Sequence, residues 1–185
     1  MPNAASSPSL GVAAATPAEA RSAASATAAD ALRVGGFTPL TTIDFPGRLA
    51  AVVFCQGCPW RCGYCQNTGL LDANAPAALP WADVRERLGQ RRGLLDGVVF
   101  SGGEPTLQAA LPDALAQVRA LGFATGLHTA GMYPQRLQAL LPLLDWVGLD
   151  IKAPEAGYDA LTRTPGSGLR AWESLRVLRA GGVAL

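Results

Sequence analysis

Lysine and histidine are almost missing from this 185-residue chain, which has one of each, Lys152 and His128, and only 16% charged residues. Fifteen Lys plus Arg stand against fourteen Asp plus Glu, a net charge of +1. There is therefore no global field to hold a polyanion, and nucleic acid is not an expected partner. No run reaches the roughly 20 apolar residues needed to cross a bilayer, and the N-terminal stretch lacks the charged start and compact apolar segment of a secretory signal. No membrane partner and a cytoplasmic location are expected. Cysteine is absent outside the span from Cys55 to Cys65, which holds all four. Four thiols so crowded cannot staple distant parts of a fold, which excludes a secreted disulfide framework and leaves them as ligands.

Hydrophobic residues make up 49% of the chain, enough for a real core in one soluble globular domain. Residues 1–31 are rich in Ala, Ser and Pro, with too few large apolar side chains to offset the entropy of ordering, and are expected to be a disordered tail. The core is expected over 32–185. An apolar run at 49–54 predicts a buried strand ending just before Cys55, and Pro80 starts a helix running through Arg91. The segment DGVVFSGGEPT then reads as a turn, a short strand and a glycine loop. Helices near 110–121 and 134–141 alternate with strands near 123–128 and 146–151. A last helix, near 169–180, presents Leu169, Trp172, Leu175 and Leu178 as its buried side, and GGVAL begins another strand. This alternation predicts an α/β fold with parallel strands, either an open doubly wound sheet or an incomplete barrel. Both place the loops that follow the strands at one end, so the cysteine segment, Ser101 to Thr106, His128 to Gly131 and Asp150 to Lys152 should converge.

The cysteine segment, Cys55-Gln-Gly-Cys58-Pro-Trp-Arg-Cys62-Gly-Tyr-Cys65, can be read as two CxxC pairs or as a Cx3Cx2C triplet of Cys58, Cys62 and Cys65. Two pairs three residues apart are cramped for one tetrahedral zinc. Three thiolates can hold three irons of a cubane cluster and leave the fourth open to a small molecule. A CxxC redox pair and buried structural cysteines are the other readings. Ser101-Gly102-Gly103-Glu104 lets backbone approach a ligand and offers a carboxylate, although two glycines and a proline also make an ordinary turn. His128 by itself is more simply a hydrogen-bonded or pocket-lining residue than a metal ligand. Alternation puts Asp150 and Lys152 on one side, where they could pair.

The triplet, with Tyr64 before its last cysteine, closely resembles the signature of the radical S-adenosylmethionine superfamily. The longer stretch GFTPLTTIDFPGRLAAVVFCQGCPWRCGYCQN, with SGGEPTLQ beyond it, more narrowly resembles the activating proteins of anaerobic ribonucleoside-triphosphate reductase, relatives of other glycyl-radical enzyme activating enzymes. The resemblance implies a partial (βα)6 TIM-like barrel, incomplete here near the start of the fifth strand. It implies that Cys58, Cys62 and Cys65 ligate a [4Fe-4S] cluster with one open iron, and that Cys55 is spare. Gly102, Gly103 and Glu104 would contact the amino group of S-adenosyl-L-methionine, and Tyr64 its adenine or the cluster. His128 and Thr129 would lie on the cofactor side, although similar proteins carry Asp-Thr-Asn-Gly there. Gln66 stands where they often have histidine. Lys152 and Asp150 would line the active site as its catalytic pair. The implied activity is reductive cleavage of the cofactor to a 5′-deoxyadenosyl radical. That radical would create a glycyl radical on anaerobic ribonucleoside-triphosphate reductase or another glycyl-radical enzyme, fed by a flavodoxin-like or ferredoxin-like electron donor. The alternatives are a radical enzyme acting on a small molecule or tRNA precursor, and a non-catalytic zinc-binding interaction module.

Overall fold

The computed structural model describes residues 27–185, so most of the tail expected over 1–31 lies outside the described residues. At its end the structure differs from that expectation. Ala28–Ala31 forms a 3-10 turn, capped where the Thr27 N–H donates to Asp30 Oδ2 at 2.7 Å. Ala29 is fully buried in the main core. A stretch without large apolar residues thus still joins the core.

Five strands form one sheet in chain order: β1 (Val34–Thr41), β2 (Ala50–Cys55), β3 (Gly97–Gly102), β4 (Ala124–Thr129) and β5 (Trp146–Leu149). β2 to β5 are parallel, with Ala50 opposite Gly97 and Cys55 opposite Gly102, while β1 runs antiparallel along β2. β1 escaped the sequence reading because its glycines and Pro39 look like a turn. At the sheet edge a proline is tolerated, since its missing N–H is not needed by a second neighbour. Helices α1 (Trp81–Gly89), α2 (Leu111–Ala120) and α3 (Pro134–Leu140) connect the parallel strands, followed by α4 (Tyr158–Thr162) and α5 (Ser167–Gly181). After α5 the Val147 N–H donates to Ala184 O at 2.9 Å, a single parallel bridge beside β5 at the place where the sequence reading starts another strand. This is the expected α/β architecture, and it is consistent with a partial barrel.

Both faces of β2 and of most of β3 are buried, which explains their unbroken apolar runs. Val53, Val98, Phe100, Leu127 and Val147 pack against Trp81, Val84 and Leu88 of α1, Leu111, Leu115 and Val118 of α2, and Leu137 and Leu140 of α3. On the other face Phe45, Ala50 and Val99 form a smaller cluster with Trp146. Of the side of α5 expected to be buried, only Leu178 is fully so. Leu169 is 62% exposed, Trp172 and Leu175 are half-buried, and the buried set is Ser167, Gly168, Ala171, Ser174 and Leu178. Close approach is the reason: the Ser174 hydroxyl donates to Gly131 O at 2.8 Å, a distance that a larger side chain would forbid.

Candidate active site

The cysteine loop is set by its crossing with the glycine loop. Gly102 has φ +113°, and a Cβ there would lie 2.5 Å from Cys55 N. A Cβ on Gly103 would land on the Gly57 carbonyl. Without side chains, the Gly103 N–H reaches Cys55 O and the Glu104 N–H reaches Gly57 O, each at 2.9 Å. Two buried glutamines fasten the same loop. The Gln56 amide donates to Gly69 O and Asp72 O, and the Gln108 amide donates to Gln56 O and Arg33 O. From the far side, the Arg61 N–H donates to Thr162 O at 2.9 Å.

The loops after β2, β3, β4 and β5 enclose an open cavity of about 380 Å³, at the strand ends where α/β folds hold ligands. Cys58, Cys62, Cys65, Tyr64, Gly102, Gly103, His128, Thr129, Asp150 and Lys152 all line it. Of the eleven residues singled out from the sequence, only Glu104 does not. Cys55 stays in β2, fully buried away from the cavity, as a spare strand-packing thiol should. The other three are half-buried and all four are free. Burial pushes the Cys55 thiol far up and takes Cys58 to about 11, although the Trp60 backbone N–H opposes the shift at Cys58. Burial also raises Cys62, against the Lys152 charge. A redox CxxC pair needs a depressed thiol, and burial works against that at Cys55, Cys58 and Cys62.

Glu104 is turned inward, at 1% exposure, instead of reaching toward a ligand amino group. Its Oε1 accepts from the Thr106 N–H, the Thr106 hydroxyl and the Thr129 hydroxyl, and its Oε2 from the Ala130 N–H at 3.0 Å. The carboxylate thus ties the end of β3 to the end of β4 beneath the cavity. Thr129 shares that work, since its hydroxyl also accepts from the Gly131 N–H. The His128 Nε2–H donates to Asp44 O at 3.0 Å while the ring meets Trp146 edge-on. His128 is therefore a pocket-lining residue that also anchors the loop before β2.

Lys152 and Asp150 form an ion pair in which the lysine side chain is 10% exposed and the aspartate 61%. Burial pulls the Lys152 ammonium down, but the hydrogen bond and charge of Asp150 outweigh it, and the net shift is upward. The ammonium lies 5.6 Å from the centre of the Tyr64 ring. Sequence reading missed Tyr158, whose hydroxyl accepts from the Lys152 N–H at 2.8 Å and donates to Asp150 O, and whose ring meets Trp60 at 5.9 Å. It also missed Asp44, Gln56 and Gln108. Nothing local marks them, because each acts on residues distant in the chain; only the position of Asp44 inside the IDFPG stretch offered a hint.

Among the described residues no three His, Cys, Asp or Glu side chains gather closely enough to serve one metal ion. A cubane cluster takes each thiolate on a different iron, so three thiols spaced around one cavity fit it better than a single tetrahedral zinc. A model of the Radical SAM superfamily matches residues 52–184. The chain is 33% identical over 147 residues to the pyruvate formate-lyase-activating enzyme of Clostridium pasteurianum, covering 76% of this chain and 60% of that protein. It is 29% identical over 156 residues to 7-carboxy-7-deazaguanine synthase of Thermococcus kodakarensis, covering 74% of this chain and 61% of that protein. Among solved structures, Streptococcus suis SuiB bound to precursor peptide SuiA shares the fold, with a TM-score of 0.57 and 19% identity over 71% of this chain and 30% of that one. The chain spans about half to three-fifths of the length of curated relatives it matches. The match over most of the described residues, joined to a donor set that suits its cluster, assigns the chain to the radical S-adenosylmethionine superfamily, whose cofactors are a [4Fe-4S] cluster and S-adenosylmethionine.

Proposed function

We propose that this chain carries the cofactor site of a glycyl-radical enzyme activating enzyme, and that its target is anaerobic ribonucleoside-triphosphate reductase. The observation that carries the reading is the grouping of Cys58, Cys62 and Cys65 around one cavity with the Gly102-Gly103 backbone and the Lys152–Asp150 pair. The chemistry a bound, reduced cluster would supply is one electron for the reductive cleavage of S-adenosylmethionine, the source of the radical that would take a hydrogen atom from the target glycine.

The chain's own residues hold and orient. Cys58, Cys62 and Cys65, which line one cavity, would hold the cluster through three thiolates. Gly102 and Gly103, free of side chains, would admit the methionyl end of the cofactor, and Lys152, at the same cavity, would supply a positive charge for its carboxylate. Tyr64, half-exposed at the cavity, offers its ring to the adenine. Glu104 and Thr129 act from below by fixing the loops. The activating role draws on the GFTPLTTIDFPG stretch, whose Asp44 lines the same cavity. A flavodoxin-like or ferredoxin-like donor would deliver the electron. Similarity to 7-carboxy-7-deazaguanine synthase supports a second reading, a small-molecule or tRNA-precursor substrate.

Anaerobic incubation of the reconstituted, reduced protein with S-adenosylmethionine and the reductase decides between them by electron paramagnetic resonance. A glycyl-radical signal is expected. Cofactor cleavage without that signal rejects the target while keeping the chemistry, and one zinc per chain without labile sulfide rejects both in favour of a zinc module.

A further inference from the structure

Tyr158 is fully buried in a small apolar cluster that joins two loops of the site. Cys58 and Cys62 pack against this cluster from the cysteine loop, and Ile151 and Ala153 pack against it from the loop after β5. Ile151 and Ala153 flank Lys152, which lines the cavity instead. The Tyr158 hydroxyl accepts from the Lys152 N–H at 2.8 Å and donates to Asp150 O at 3.3 Å. One phenol thus holds the backbone on both sides of Ile151. The tyrosine itself has little freedom. Its ring meets Trp60 at an interplanar angle of 68°, and α5 closes on it at Gly168, where an added Cβ would lie 3.0 Å from the Tyr158 Cβ. The helix that carries it, α4, also holds the cysteine loop directly, because the Thr162 and Leu161 carbonyls accept from the Arg61 and Gly63 N–H groups.

We propose that Tyr158 is a positioning residue for the cofactor: its hydroxyl holds the Asp150–Lys152 backbone in a fixed place relative to the cysteine loop, and so sets the Lys152 ammonium where the carboxylate of a ligand bound beside the cysteines meets it. The inference rests on the reading that S-adenosylmethionine binds in this cavity with Lys152 supplying charge for its carboxylate. Lysine has a long side chain, and ordering it costs conformational entropy. A charge fixed before the ligand arrives spares the binding step that cost. The Asp150 N–H is tied to Thr129 O at 3.0 Å, and the Tyr158 hydroxyl is the next anchor along the loop. Replacing it by hydrogen leaves the Lys152 N–H without its partner and loosens the segment from which the lysine projects.

Lys152 is the chain's one lysine, so in the full chain labelled with 13C-lysine a single Cε resonance reports its surroundings. Before reconstitution that resonance is expected away from the free-lysine position in the parent, because the ammonium lies against Asp150 and the Tyr64 ring. In Tyr158→Phe it is expected to move toward the free-lysine position. After anaerobic reconstitution Tyr158→Phe is expected to hold the parental iron and sulfide and to bind S-adenosylmethionine about threefold to tenfold more weakly in equilibrium dialysis. Lys152→Met should weaken binding too, and adding Tyr158→Phe to it should cost nothing further, because the tyrosine acts through the lysine. A loss repeated in full on the Lys152→Met background assigns the hydroxyl to general structure and overturns the inference. So does a Tyr158→Phe chain that fails to fold or to load its cluster, and so does one with parental affinity or an unmoved Cε resonance. Where Lys152→Met abolishes measurable binding, the resonance decides. All these outcomes leave the reading of the site standing, provided Lys152→Met alone weakens binding; if it binds as the parent does, that reading falls as well.

Discussion

Glu104 offers the sharpest test of how the cavity floor is built. A carboxylate only accepts, and all four of its hydrogen bonds come from donors: two backbone N–H groups, Thr106 and Ala130, and two hydroxyls, Thr106 and Thr129. Glu104→Gln keeps the shape and replaces one oxygen by an NH2 that can only donate. With the amide oxygen at the Oε1 position, the NH2 faces the Ala130 N–H, so a charge-assisted bond is lost and two donors oppose each other. The flipped amide is worse. It opposes the Thr106 N–H, and the Thr129 hydroxyl it would need as an acceptor is already engaged by the Gly131 N–H. Hydrogen bonds to a charged group contribute about 1.5–3 kcal/mol, so the variant should lose about 2–4 kcal/mol. In a domain of this size each 1 kcal/mol moves Tm by about 2–4 °C, and the fall should be about 4–16 °C by circular dichroism at neutral pH. A variant within about 0.5 kcal/mol of the parent would refute the keystone role. So would one that folds as the parent does yet loses S-adenosylmethionine binding, because that outcome requires a carboxylate facing the cofactor.

Single replacement of Cys58, Cys62 or Cys65 by alanine should abolish the cluster in iron and sulfide assays. Cys55→Ala should retain it at a stability cost of about 1 kcal/mol from the small void left in β2; equal loss in all four variants would favour a four-thiolate site. Gly103→Ala, which drives a methyl onto the Gly57 carbonyl, should lower the denaturant midpoint by the equivalent of about 2 kcal/mol or more. Gly63→Ala, with nothing within 4 Å of the new Cβ, should stay within about 0.5 kcal/mol. Asp145, despite burial, is held below the ordinary carboxylate value of 3.8 by the Thr125 N–H and Arg119, and Asp159 is held down by the Gly166 N–H and Ser167. Because both groups titrate lower when folded than when unfolded, their stabilisation is complete above the unfolded value. It is lost as pH falls through the folded values. Unfolding free energy should therefore drop below about pH 4, less steeply in Asp145→Asn; identical acid slopes would contradict the assignment.

The spacing of Cys58, Cys62 and Cys65 was legible because three ligands within one short loop are placed by the chain itself. Apart from the short α4, the order of strands and helices from β2 onward was legible for a similar reason. Each element carries its apolar pattern within a few residues, and parallel strands buried on both faces carry unbroken runs. Which groups face the cavity was settled only by packing. Glu104 stands next to two glycines that line the site, yet it points away because Thr129 and Ala130, on the neighbouring strand end, offer it donors. Leu169 lies outside and Ser174 inside because α5 has to come close to Gly131. Gln108 secures Arg33 from 75 residues away, and the unpaired indole of Trp60 is visible only once its neighbours close around it. Local composition thus determined the ligand loop and the α/β order, while burial and hydrogen-bond partners belong to residues that meet only in the folded chain.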